Sequence, residues 1–346
     1  MTKVSFIVPT LNRRAYVVRA VASCLTAGEA VAGVTTEVVV LDSQSDDGSW
    51  ELLQENFGAD ARVKLVQNKR GLGPTHSWID GVDCATGDYL TFVWSDDYVS
   101  PHFLSRLLPM MNDRTHLAIG VGVGRDADDD TALTRDDHQE TFDASDFLAG
   151  YFPSFEGVTP SYVSPVCALF SRESFDKWKV TAQGWGRATP LREQIIWRRA
   201  IGPDLMLFFT AALLSEKVAF TREQVAQFSA HPGSISISVS KYLLRSGYWL
   251  ARSWLVQDSG LTDAGSRQRL LRMAAETFVL GRGIFKKFPD NAIKLDIKQT
   301  RSLISEECGS IWASMRVHHS LRACLAAVAG AYLRQFLPRR YRKLAM

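Results

Sequence analysis

The chain has 346 residues, 46% hydrophobic and 22% charged, with a net charge of +3. That length suits about two domains, and the composition supports a large core and excludes global disorder. The five cysteines lie far apart with no Cys-X-X-Cys pair, which argues against a zinc site or a disulfide framework, and no uncharged apolar stretch reaches the ~18–20 residues of a transmembrane helix.

The first ~125 residues alternate strand and helix patterns. Short apolar runs predict strands at Val4–Val8, Glu37–Leu41, Val63–Val66, Tyr89–Trp94 and Leu117–Val123. Helical spacing, acidic first turns and Pro near the start predict helices at Arg14–Thr26, Asp47–Phe57, Pro74–Ala85 and Pro101–Met111. This alternation implies βαβ units and a mainly parallel sheet, with ligands beyond the carboxyl ends of its strands. Four loops lie there: Pro9–Arg13, Asp42–Gly48, Asn68–Gly73 and Ser95–Ser100. Further on, the acid-rich 125–140 stretch is expected to be a solvated loop, and the Gly/Pro/aromatic-rich 150–165 stretch a mobile loop on the acceptor side. From Lys241 onward helix spacing dominates.

Asp96-Asp97 is the strongest chemical feature. Two adjacent carboxylates directly after a buried strand repel each other unless donors or a cation compensate. A divalent metal would do so, with phosphate oxygens and water filling its shell; the bland alternative is an acidic cap on the helix near Pro101. Asp42 also follows a buried strand, in Asp42-Ser-Gln-Ser-Asp-Asp-Gly48, where its side chain would reach a ribose hydroxyl or a base N–H. In that loop Ser45 or Asp46 would serve as the helix N-cap. Lys69-Arg70-Gly-Leu-Gly73 offers two cations and two glycines, suited to close approach by a phosphate.

In combination these loops resemble the family 2 glycosyltransferases of the GT-A fold. The matching pieces are Val8-Pro-Thr-Leu-Asn-Arg13, Val40-Leu-Asp-Ser-Gln-Ser-Asp-Asp-Gly48, Asn68-Lys-Arg-Gly-Leu-Gly-Pro74, Ala85-Thr-Gly-Asp-Tyr89 and Ser95-Asp-Asp-Tyr-Val-Ser-Pro101, in family order over residues 4–101. The resemblance implies that Pro9, Thr10, Asn12 and Arg13 line the nucleotide pocket, that Asp42 contacts the base and that Arg70 lies near the nucleotide. It places Asp96 by the ribose or sugar and makes Asp97 the ligand of a divalent metal, Mn²⁺ or Mg²⁺. Ser43 stands where many members have a second Asp, and Trp94 where many have the first acid of an Asp-X-Asp-Asp run.

The acceptor half resembles the family more loosely, through Pro165–Arg172, Ile201–Leu205 and Ala230–Ser236. That likeness implies Asp204 as the catalytic base, with Glu193 as the alternative base, and a metal or diphosphate contact for His231. The bland readings are a helix N-cap for Asp204 and a buried, hydrogen-bonded His231. The expected organisation is a catalytic domain over 1–236, with a nucleotide-sugar half (1–125) and an acceptor half (126–236), then a helical region over 237–346. From Cys308 to Met346 that region holds seven Lys/Arg and no Asp or Glu. Aromatics are not interleaved with this basic tail, which favours membrane headgroups over nucleic acid as its partner. The segment 241–256 suits packing or a membrane surface, and 321–336 a lipid interface or a terminal core helix.

The function expected is a metal-dependent inverting transfer of sugar from a nucleotide-diphosphate donor to a saccharide or lipid-linked acceptor. The alternatives are a sugar-phosphate nucleotidyltransferase, which would usually carry a Gly-rich loop where Pro9-Thr-Leu-Asn-Arg13 stands, and a non-catalytic nucleotide-binding scaffold. With no secretory leader expected, the location predicted is the cytoplasm, at the inner face of the cell membrane.

Overall fold

A computed structural model describes residues 1–68, 71–126, 129, 131–148, 164–188, 199–231, 233–234, 247–248, 251 and 254–255. In chain order the elements are β1 (Lys3–Thr10), α1 (Val17–Glu29), β2 (Thr35–Asp42), α2 (Ser49–Phe57), β3 (Val63–Gln67), α3 (Pro74–Cys84), β4 (Tyr89–Phe92), β5 (Tyr98–Val99) and α4 (Phe103–Leu107). There follow β6 (Leu117–Asp126), β7 (Gln139–Asp143), α5 (Ala144–Leu148), β8 (Ala168–Ser171), α6 (Arg172–Ala188), α7 (Pro203–Leu214) and β9 (Lys217–Ala230).

One sheet runs through the molecule in the order β3-β2-β1-β4-β8-β6-β9-β5, with β7 also paired to β9. The first four strands are parallel. Of these, β1, β2 and β4 are buried on both faces, which is why Val4–Val8 and Val38–Leu41 are unbroken apolar runs rather than alternating ones. Phe6, Val8, Val38 and Val40 face α1, α2 and α4, whereas Ile7, Val39 and Leu41 face the layer that contains α3, α6 and α7. The helix α3 lies so close that a Cβ on Gly81 would stand 2.4 Å from Ile7 Cγ2, so only glycine fits there.

Beyond β4 the sheet is mixed. The strand β8 runs antiparallel to both β4 and β6, β9 runs parallel to β6, and β5 and β7 run antiparallel to β9. A four-residue strand inserted between β4 and β6 leaves no periodic mark in sequence. Three boundaries differ from expectation for local reasons. The helix expected over 101–111 is α-helical only at Phe103–Leu107 and tightens to a 3₁₀ turn at Leu108–Met110, where Pro109 lacks the N–H that would continue it. The first helix begins at Val17 because residues 12–14 bond across to the loop after β2. In the expected 125–140 loop, β6 runs on to Asp126 and β7 opens at Gln139.

Among the described residues no helix is long and apolar enough to cross a membrane. The 150–163 stretch, most of the 241–256 segment and all of 321–336 with the basic tail lie outside the described residues.

Candidate active site

The loops after β1, β2 and β4 meet at the carboxyl edge of the parallel strands. Thr10 pairs in register with Asp42. Asp42 is fully buried and its carboxylate is engaged by the chain: Oδ2 accepts from the Ser45 N–H (3.1 Å) and from Gln67 Nε2 (3.1 Å), and Oδ1 accepts from Ser45 Oγ. Asp42 thus shapes the loop that follows it.

That loop is stitched to the first. Asn12, in the left-handed region at φ 54°, donates its backbone N–H to Ser45 Oγ (2.9 Å) and its Nδ2 to Asp46 Oδ1 (2.8 Å), and its Oδ1 accepts from the Asp46 N–H (3.0 Å). The backbone N–H groups of Arg13 and Arg14 donate to Ser49 Oγ and Asp47 Oδ2. Ser45 and Asp46 are therefore not N-caps. That position is Gly48, at φ 86°, with no side-chain cap. Thr10 is 4% exposed and its Oγ1 has no hydrogen-bond partner among the described residues. A buried hydroxyl left this way at the carboxyl edge of the parallel strands suits a ligand partner.

Asp96 and Asp97 follow β4, which ends at Phe92, two residues short of the expected boundary. They turn to different surroundings. Asp97 is 5% exposed, and its Oδ1 accepts the Ser229 N–H of β9 at 2.9 Å. Burial, and then the charge of Asp96, hold its carboxyl well above the usual range, while Ser229 and Arg19 pull the other way. Arg19 of α1 donates to the Asp96 carbonyl (3.3 Å) and to Ser229 Oγ (2.9 Å), and lies over the Tyr98 ring at 4.8 Å. One arginine thus ties the acidic turn to the end of β9.

The Asp96 carboxylate stands between two basic groups, His231 Nε2 at 2.9 Å and Arg13 Nε at 3.5 Å. The Gly233 N–H donates to His231 Nδ1 (3.1 Å), so that nitrogen is the acceptor and Nε2 carries the proton donated to Asp96. Tyr16 stacks on the imidazole at a centroid distance of 4.9 Å. Both ring nitrogens of His231 are therefore occupied by the protein here, and Arg13 also donates to the Gly233 carbonyl. Through these contacts His231 and Gly233, just after β9, are tied to the loops that follow β1 and β4.

Trp94, which stands where many family members carry an acid, joins an aromatic cluster. It packs on Trp78 at 4.6 Å and Phe92 at 5.6 Å, and its Nε1 donates to Ser164 Oγ (3.0 Å). Phe92 continues the cluster to Trp178, whose Nε1 donates to the Pro203 carbonyl (2.7 Å) at the start of α7. Packed aromatic rings thus connect the acidic turn to the helix that carries Asp204.

Asp204 lies in the first turn of α7, after Pro203. Its Oδ1 accepts from the N–H groups of Leu205 (2.8 Å) and Gly202 (3.2 Å), and its Oδ2 accepts from the Tyr248 hydroxyl (3.0 Å). The expected N-cap is Gly202 instead, though Asp204 does bind backbone N–H groups at the helix start. Burial pushes its carboxyl up to about 6, against the hydrogen bonds that lower it. None of its hydrogen bonds reaches the Asp96–Asp97 turn among the described residues. Arg70 and Glu193 lie outside the described residues. Sequence reading missed Arg19, Gln67, Ser229 and Tyr248, because each acts on a partner far along the chain or without a motif of its own.

Compared with solved structures, the chain is similar to residues 1–349 of TarS from S. aureus in complex with UDP-GlcNAc, with a TM-score of 0.60 at 16% identity, covering 96% of this chain and 90% of that one. A second TarS structure gives a TM-score of 0.57 at 15% identity, covering 100% of this chain and 92% of that one. These likenesses define the class: the fold is the GT-A fold of nucleotide-sugar transferases. The glycosyl transferase family 2 model matches residues 5–179, half of the sequence, and the chain belongs to that family.

Among curated relatives, a glycosyltransferase of Haemophilus influenzae is 32% identical over 122 residues, 35% of this chain and 47% of that protein. The glycosyltransferase EpsH of Bacillus subtilis is 22% identical over 284 residues, 80% and 74% of the two chains. A GalNAc(5)-diNAcBac-PP-undecaprenol beta-1,3-glucosyltransferase of Campylobacter jejuni is 31% identical over 114 residues, 33% of this chain and 36% of that one. The chain thus spans about half of the first relative and about a third of the last.

Proposed function

We propose that this protein transfers a sugar, with inversion, from a nucleoside-diphosphate donor to a hydroxyl of a saccharide or lipid-linked acceptor. The observation that carries the proposal is the acidic turn at the carboxyl end of β4. There Asp97 is buried beside a second carboxylate, with Thr10, Asn12, Arg13 and Asp42 on the adjoining loops. A UDP-sugar is the donor class favoured, since the TarS neighbours carry UDP-GlcNAc and UDP. The lipid-linked acceptor is favoured by the Campylobacter relative, whose name specifies an undecaprenol-linked glycan.

The chemistry of the donor set suits a divalent cation. Asp97 is a buried carboxylate raised by burial and by its neighbour, a situation a cation would relieve. No group of three His, Cys, Asp or Glu gathers among the described residues. A cation there would take one or two carboxylates and complete its shell from diphosphate and water, as Mg²⁺ commonly does. Mn²⁺ or Mg²⁺ held on Asp97 would offset charge on the departing diphosphate.

The remaining roles belong to the chain's own residues. Asp96, held by His231 and Arg13, orients the ribose or donor sugar. Arg13 adds positive charge at the same edge, and Arg70 is assigned to the nucleotide from sequence alone. Asp204 accepts the proton of the acceptor hydroxyl as that oxygen attacks the anomeric carbon from the face opposite the diphosphate, which inverts the centre. A base near pH 6 is mostly ionised at neutrality yet more basic than an ordinary carboxylate. A basic C-terminal segment resting on anionic lipid would bring the enzyme to a membrane-borne acceptor.

A thermal-shift panel of UDP, GDP, dTDP and CMP, each with and without Mn²⁺, tests the reading. A nucleotide shift that requires metal is expected. Metal-independent shifts, or none with any nucleotide, would overturn it. Release of nucleoside diphosphate rather than pyrophosphate from the matching sugar nucleotide separates it from nucleotidyl transfer.

A further inference from the structure

Tyr248 makes a contact to Asp204 that lies beyond the family-matched residues 5–179. Two glycines make that contact geometrically accessible. Gly202, at φ 117°, adopts a backbone conformation that disfavours a side chain, and a Cβ there would stand 2.9 Å from Trp185 and 3.1 Å from the Gly247 carbonyl. On the other side, a Cβ on Gly247 would stand 2.4 Å from Ile201 Cγ2 and 2.9 Å from the Ile201 carbonyl. The two backbones therefore cross with nothing but hydrogen between them. The crossing is anchored by Ala251, fully buried, by Leu255, 3% exposed, and by Trp254, whose Nε1 donates to the Thr181 carbonyl of α6 at 3.2 Å. Tyr248 follows Gly247 and donates its hydroxyl to Asp204 Oδ2 at 3.0 Å.

The two oxygens of Asp204 are thus treated differently. Oδ1 is held by two backbone N–H groups at the start of α7. Among the described residues Oδ2 receives one donor, the Tyr248 hydroxyl, and a carboxylate oxygen has a second lone pair to offer. We infer that Tyr248 is a positioning residue for the base: it fixes the rotation of the Asp204 carboxylate so that the second lone pair of Oδ2 faces the acceptor hydroxyl. The inference rests on Asp204 being the base and extends that reading to the segment that holds it.

The chemistry of the pair agrees with the geometry. The negative charge of Asp204, together with burial, pushes the Tyr248 phenol upward, so it remains a donor throughout the pH range of the reaction. The groups that act on Asp204 are the backbone N–H groups of Gly202 and Leu205 and the Tyr248 hydroxyl; among the described residues no Lys, Arg or His pairs with it. A hydrogen bond to the ionised form favours ionisation, so Tyr248 also keeps burial from raising the base further.

The test is a pH titration of the Asp204 carboxylate by difference infrared spectroscopy on the full chain, its band assigned by subtraction of Asp204→Asn. Tyr248→Phe keeps the ring and removes only the donor. Its Asp204 midpoint is expected about one pH unit above that of the wild type, the size expected for one lost hydrogen bond to a charged group. An unchanged midpoint would overturn the inference, since a ring that merely packs would not move it. Should Tyr248→Phe fail to fold, fluorotyrosine placed at position 248 supplies a more acidic donor; a downward shift supports the inference and no shift overturns it. The two readings fail separately. Asp204→Asn that still transfers sugar would remove the base role and leave the Tyr248 shift standing, whereas an unmoved midpoint would leave the base role intact.

Discussion

Asp204→Asn changes one charge and almost no volume, and it should move stability and activity in opposite directions. An aspartate usually titrates near 3.8, and burial holds Asp204 at about 6. The folded protein therefore binds this proton more tightly than the unfolded chain. The stability linked to it is fully present below pH 3.8 and is lost as pH rises through 6. At 1.36 kcal/mol per unit, the whole loss is about 3 kcal/mol, of which about 1.4 kcal/mol falls between pH 5 and pH 8. Asn carries no titrating proton, and its Oδ1 can still accept from Gly202 and Leu205. Urea denaturation of both proteins at pH 5 and pH 8 should show the variant gaining about 1.4 kcal/mol on the wild type across that interval. Transfer should fall by about 10²–10⁴, the range for loss of a general base. A stability difference that stays flat with pH would refute the burial argument. A variant with full transfer rate would refute the base assignment.

Three other outcomes follow from the same geometry. Asp97→Asn removes a buried charge beside Asp96, so the unliganded protein should melt no lower than the wild type while the Mn²⁺-dependent nucleotide shift disappears; a retained shift in a thermal melt would contradict the metal role. Gly202→Ala forces a Cβ at φ 117° to within 2.9 Å of Trp185, and should cost about 1–3 kcal/mol in urea denaturation, with transfer reduced through Asp204. Glu37 is held down to about 2; burial alone would raise it, but Lys3, Ser5 and Thr86 outweigh that as hydrogen-bond donors. Its stabilisation is present above 4.5 and lost as pH falls through about 2. Glu37→Gln should therefore lower stability by about 1–2 kcal/mol at pH 7, allowing for solvent screening of Lys3, and should approach the wild type near pH 2.

Much of the first 125 residues is legible because its physics is local. The strands β1, β2 and β4 are buried on both faces, and that demand writes continuous apolar runs into the sequence. A parallel sheet puts ligands at its carboxyl edge, so the loops at 9–13, 42–48 and 95–100 could be picked out before any coordinate was known. The helix expected over 101–111 is shorter in the fold, since Pro109 removes a helical donor and the last turn tightens to 3₁₀.

The sequence by itself determined which residues gather at the strand ends, since strand, loop and helix alternate there within about a hundred residues. It also marked Asp204 as an acid at the head of an apolar helix. Only the tertiary structure decided what surrounds these groups. Asp42 is satisfied by Ser45 and Gln67, Asp97 is buried under Ser229, and His231 closes on Asp96. The contacts with β9 and the segment that follows it join residues more than 130 positions apart. Tyr248 reaches Asp204 because Gly202 and Gly247 allow two backbones to cross. Burial and hydrogen bonding set the charge and orientation of a carboxylate, and both come from whatever the fold brings alongside rather than from neighbours in the chain.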